Sequence, residues 1–113
     1  MGLRAVFAAA LPDLFAKAGE PAVFTPATGA PAPCNVFIDF GVELQPAGAE
    51  AQVWQLGTTI EALLSETVRE PNRGEIFTVY PDLASRTAGT GGTAYTVQAP
   101  LENDGLTVKV VVT

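Results

Sequence analysis

The last third of the chain constrains its fold more than any other stretch. From Arg69 it reads REPNRGEIFTVY, then PDLASRTAGTGG, then AYTVQAPLENDGLTVKVVVT. Runs rich in β-branched and aromatic residues fall at Ile76–Tyr80, Tyr95–Ala99 and Leu106–Val112, the residue types that fit a pleated, half-buried surface. Turn-rich segments separate them, so this part of the chain is a β-meander and the protein is not all-helical. Asn103-Asp104-Gly105 is the tightest turn signal. Asn or Asp and Gly tolerate the positive φ that a short hairpin connection requires. Pro81–Thr93 is long, small and polar, with Gly89, Gly91 and Gly92 and with Leu83 as its one bulky apolar residue. It is expected to be a flexible loop, because it has little to pack.

The N-terminal third reads differently. Apolar residues recur at Leu3, Val6, Phe7, Ala10, Leu11, Leu14, Phe15 and Ala18, the i, i+3, i+4, i+7 spacing of an amphipathic helix. The Ala-rich start has a superficial likeness to a secretion signal. The periodic face and the charges at Asp13 and Lys17 favour a helix over 3–18 that belongs to the fold. Pro12 either kinks that helix or opens a second one. Gly19 is expected to end it in the left-handed region. Glu20–Thr25 then reads as a strand, Pro26–Pro33 as a turn and Cys34–Phe40 as a second strand, a hairpin. Residues 41–52 are weakly patterned and read as a second flexible loop. Val53–Val68 reads as a strand, because Thr58, Thr59 and Ile60 favour one and Pro71 and Gly74 leave little room for a helix. With 113 residues the chain has the length of a single domain, 1–113, with residues 20–113 β-rich. The expected core is Phe15, Phe24, Phe37, Ile38, Ile76, Val79, Tyr95, Val97, Val108 and Val110.

The chain carries little chemistry. It has no His, which removes the commonest general base, the usual metal ligand and the Ser-His-Asp and Cys-His arrangements. The carboxylates Glu102 and Asp104 flank a turn, and Asp39 and Glu43 flank a strand end; such positions are solvated and rarely shift a pKa. TAGTGGT is glycine-rich but is not followed by the Gly-Lys-Ser/Thr of a phosphate loop. Cys34 is the only cysteine, so it forms neither an internal disulfide nor a thiolate metal cluster. With Val36, Phe37 and Ile38 beside it, it reads as a small buried hydrophobe. No catalytic, cofactor or metal site is expected. The net charge is −6, and the six basic residues are scattered as Arg4, Lys17, Arg69, Arg73, Arg86 and Lys109, so tight nucleic-acid binding is not expected. No stretch approaches the ~18 apolar residues of a membrane span. Trp54 is either core or an interface anchor, and Tyr80 and Tyr95 are the other places to look for an aromatic-lined pocket.

The order of these pieces resembles a known family. Asp13-Leu14-Phe15, Gly19–Ala22, Thr25-Pro26, Pro71, Gly74-Glu75, Tyr95-x-Val97 and Asn103-Asp104-Gly105 follow the pattern of the phage head-tail joining proteins of the lambda attachment-protein type. The likeness covers most of the chain and departs from it at the long glycine-rich loop before Tyr95. It implies a mainly β fold, a small β-barrel or sandwich with a short N-terminal helix. It also implies a structural role: copies, encoded by a phage or prophage, would form a ring at the head-tail junction, close the portal after DNA packaging and offer the tail a docking surface. The implied partners are a portal or head-completion protein and a tail protein, with a monomer in the host cytoplasm before assembly. The candidate partner interface is Trp54, Leu83, Arg86, Thr90, Leu11 and Phe7. The competing readings are a tail-terminator or minor tail protein, and an unrelated small β binding module.

Overall fold

A computed structural model describes residues 3–44 and 55–113, with the side chains of 9–42 and 57–113. Helix α1 (Leu3–Ala18) leads into strands β1 (Glu20–Thr25), β2 (Ala32–Leu44) and β3 (Gln55–Leu63). A single helical turn, α2 (Leu64–Thr67), precedes β4 (Ile76–Val79). Helix α3 (Leu83–Ala88) then leads to β5 (Thr93–Asn103) and β6 (Thr107–Val112). The strands close into a barrel in the order β1-β2-β3-β6-β5-β4, and every neighbouring pair is antiparallel. Closure satisfies the edges that an open sheet would leave bare.

Side-chain alternation explains the interior. Along β6 Val108, Val110 and Val112 are buried while Thr107, Lys109 and Val111 are half-buried. The same alternation sends Ala22 and Phe24, Cys34 and Val36, Ile60 and Ala62, Phe77 and Val79, and Val97 into one core. Phe24 and Phe77 are cross-strand partners, with ring centroids 5.0 Å apart. The small residues Ala22 and Ala62 leave room inside a barrel too narrow to be filled by large side chains alone.

Three residues expected in this core, Ile76, Phe37 and Phe15, lie outside it. Ile76 is only half-buried and its neighbour Phe77 is fully buried: the IFTV strand takes the other phase, because Phe77 faces Phe24 across β1. Phe37 points outward. It is covered by α1, where the Phe15 ring meets it edge-on at 4.6 Å between centroids and 69° between planes. Ile38 and Tyr95 pack on the core while partly exposed. Val36, Ile60, Phe77 and Val112 complete it.

α1 runs along the outside against β1, β2 and β3. It is one helix with Pro12 inside it. Its contact stripe is narrow: Phe15 is buried and Leu11 half-buried, while Ala10, Leu14 and Ala18 are exposed. Gly19 ends the helix for a reason other than the expected one. It is not among the positive-φ glycines. A Cβ there would lie 2.5 Å from the carbonyl oxygen of Phe15 and 3.0 Å from that of Val36, so glycine lets the chain pass close to β2.

The loop boundaries also differ from expectation. Residues 41–44 extend β2, and Val42–Leu44 pair with Gln55–Gly57 past a bulge between Asp39 and Val42, with Gly41 at φ +69°. Positions 45–52 lie outside the described residues. Val53–Val68 is not strand throughout: β3 ends at Leu63 and the α2 turn follows, since one helical turn fits before Pro71. The segment expected to be an unstructured loop, 81–93, contains α3.

Candidate partner interface

The barrel has two unlike ends. At one end lie the β1–β2 turn, α2, the 68–75 segment and the Asn103–Thr107 turn. Glu75 ties it together. Its carboxylate is buried and accepts from Arg69 Nη1 at 2.8 Å, from Arg69 Nη2, from the Ala27 N–H at 2.8 Å and from the Asn72 N–H. The Arg69 fork, then the backbone N–H groups of Asn72 and Ala27, outweigh burial and pull Glu75 down to about 2 from its ordinary 4.5. Asn103 Nδ2 donates to Glu70 at 2.8 Å, and Thr67 Oγ1 donates to the Arg69 carbonyl at 2.8 Å. Val68, between them, stands at φ +73° and 84% exposed. A β-branched residue is strained there, and the bonds on either side hold it in place. The Asp104 carboxylate accepts from the Leu106 and Thr107 N–H groups at 2.8 Å each, and Gly105 at φ +86° completes the turn read from the sequence.

At the other end the barrel is open. Ile38, Phe40, Tyr80 and Tyr95 line a cavity of about 230 Å³ whose rim includes Glu20, Pro81 and Gly91. Phe40 is 66% exposed, with its ring 6.4 Å from that of Tyr95. The glycine-rich stretch shapes this rim. The Asp82 carboxylate accepts from the Ser85 N–H at 2.7 Å and starts α3, an N-cap. Gly89 ends α3 at φ +73°, the left-handed position that glycine occupies without strain. A Cβ on Gly92 would fall 2.7 Å from Cε1 of Tyr80, so glycine there lets the Tyr80 ring lie against the backbone.

The sequence-derived interface residues fall in separate places. Leu83, Arg86 and Thr90 come together on and just after α3. Leu83 is 58% exposed and Thr90 is exposed. Arg86 is turned inward and donates to the Cys34 carbonyl at 2.8 Å, which fastens α3 to the barrel. Leu11 is on α1 and shares an outer cleft with Leu63 and Leu106, near the opposite end. Phe7 lies in α1 with its side chain outside the described residues, and Trp54 is also outside them. Cys34 is buried; burial first, then the nearby Glu66 charge, pushes its thiol up to about 12, so it stays protonated and unreactive.

Phe40 went unread as a site residue. An exposed aromatic just before a glycine at a strand end was the available signal. Tyr80 and Tyr95 were legible as candidates for an aromatic lining, and the barrel brings them together from β5 and the end of β4. Among the described residues no group of His, Cys, Asp and Glu is placed to hold a metal ion, and no helix is long and apolar enough to cross a membrane.

The fold and its open end define a class: a small closed antiparallel barrel with an outer helix, clamped at one end and fringed at the other by aromatic and loop residues. The family description Phage Head-Tail Attachment protein matches residues 4–112, and the chain belongs to that family. Its role is structural, at the head-tail junction of the virion, with head and tail components as its partners. No curated protein matches the chain.

Proposed function

We propose that copies of this chain form a ring at the junction, close the portal once DNA is packaged and present the surface on which the tail docks. The observation that carries this reading is the overhang of β2 and β3. β1 pairs with β2 only over Ala32–Val36, whereas β3 follows β2 out to Leu44. β6 pairs with β3 only from Thr58 onward. The described part of this ribbon therefore offers backbone edges that neither neighbour in the barrel covers. Unpaired edges of that kind template pairing with another chain, and a two-stranded ribbon alone is marginal in water.

Edges this short give weak self-contacts. In the proposed sequence of events the chain is a monomer in the host cytoplasm and closes into a ring only on its docking partner, where several copies meet at high local concentration. The net charge of −6 suits a conduit, since an acidic wall lets DNA slide while a basic wall would grip phosphates. Leu83 and Thr90 on the α3 segment, with Trp54, Leu11 and Phe7, are the proposed contacts to head or tail, and Arg86 positions α3 beneath them.

The test combines sedimentation of the purified chain with imaging of DNA-filled, tail-less heads mixed with it and then with tails. The expected result is a monomer alone, a ring on the heads, and joined particles. Substituting Leu83 and Thr90 together with serine and alanine should leave folding intact and abolish joining. Stable rings formed without heads would overturn the order of assembly. Rings that form on tails and not on heads would identify a tail-terminator instead.

A further inference from the structure

The open end of the barrel is chemically specific. Its cavity of about 230 Å³ is smaller than the roughly 300–1,000 Å³ of small-molecule sites, a size that suits one side chain. Phe40, Tyr80 and Tyr95 supply three aromatic rings, and Glu20 is the acidic residue that also lines the cavity. Among the described residues neither tyrosine hydroxyl has a hydrogen-bond partner, and Glu20 forms no ion pair. Aromatic faces attract a cation within about 6 Å. A planar guanidinium stacks on such rings while its N–H groups seek oxygen acceptors, and it gives up water more readily than an ammonium group.

We propose that this mouth receives an arginine side chain from a different protein. The inference rests on the assembly reading for who that protein is, a head or tail component. The guanidinium lies against Phe40 and Tyr95 and donates to Glu20 and the tyrosine hydroxyls. The overall charge of −6 favours the approach of a basic segment. Among the described side chains Arg73, exposed in the 68–75 segment, is the arginine without a partner, so a second copy of this chain has one such group to offer and its other described cations are engaged. Lys17 is paired with Asp13 at 3.1 Å, Arg69 with Glu75, and Arg86 is held on the Cys34 carbonyl. Lys109 sits opposite Glu61 and Glu102 in the strand register.

The site can be tested without any phage particle. N-acetyl-arginine amide is titrated into the full chain and followed by amide NMR shifts at Phe40, Gly91, Thr93 and Tyr95, with the neutral isostere N-acetyl-citrulline amide as control. Saturable shifts confined to these positions are expected, with citrulline binding weaker by about two- to fivefold, the worth of an exposed cation–π contact. Phe40→Ala should weaken arginine binding by a similar factor with an unchanged spectrum elsewhere, because its ring is mostly exposed. Glu20→Gln, at an exposed position, should lower affinity and flatten its salt dependence. Equal binding of citrulline, or shifts scattered over the surface, would overturn the proposal. So would mouth resonances that move with protein concentration alone, which would make a second copy the occupant. Saturable binding in a chain that fails to join heads to tails would keep the site and remove the assembly reading. Joining that survives in a chain with no arginine binding would do the reverse.

Discussion

The two ends of this barrel solve opposite problems. At the Glu75 end one buried carboxylate collects four donors from two segments, the β1–β2 turn and 68–75, so the turns there are bound to each other as well as to the strands. At the Phe40 end the strands stop at unequal heights, an aromatic ring stands in solvent and β2 and β3 run on without barrel neighbours. Both ends share one continuous core and differ in how their polar groups are satisfied. A site on a rigid scaffold needs that division: one region fixes the geometry, and the other keeps groups unspent for a partner.

The comparison breaks first if the shared core is not what holds both ends. Phe77→Ala removes a fully buried ring packed at a tilt against Phe24 and should cost about 3–5 kcal/mol in denaturant unfolding. A loss below ~1 kcal/mol would mean that the core does not depend on that pair.

Arg69→Met sharpens the contrast at the clamped end. It leaves a buried carboxylate short of its fork and should cost about 2 kcal/mol, less than a fully buried pair because the Arg69 side chain is 43% exposed. The same site fixes a pH window. Glu75 is depressed from 4.5 to about 2, so its contribution is fully present above about 4.5 and is lost as pH falls toward 2. Glu75→Gln should therefore flatten the stability curve between those values, measured by thermal melts at stepped pH. A curve that stays as steep as wild type would assign the acid sensitivity to another group.

The smallest effect belongs to the rim. Asp82→Ala removes the α3 N-cap and should cost about 1 kcal/mol, felt locally. Amide exchange should quicken across Leu83–Ala88 and stay unchanged around Asn72 and Glu75. Equal quickening at both ends would show that the ends are coupled.

Residues with a local reason to adopt their state were readable. Asn103-Asp104-Gly105 makes its turn from its own side chains and φ preferences, and β6 announces itself by alternation. The α1 face was visible from periodicity. α3 was missed because Ala84, Ser85, Thr87 and Ala88 carry no apolar stripe. Its stability comes from the Asp82 cap, the Gly89 stop and the bond from Arg86 to Cys34, 52 residues away in sequence. Glu75 stood in the Gly-Glu step of the family pattern, yet nothing around it in the sequence marks it as buried.

By itself the sequence determined the elements: the β-meander, the leading helix, the tight final turn, a buried cysteine and a chain without histidine chemistry. These follow from dihedral preference and period, which act over a few residues. Only the tertiary structure decided which phase of IFTV faces inward, which glycine serves a close approach instead of a left-handed φ, and which carboxylate is clamped. It also gathered Phe40, Tyr80 and Tyr95 around one cavity. Each of those outcomes depends on a partner far along the chain, and barrel closure is what brings those partners together.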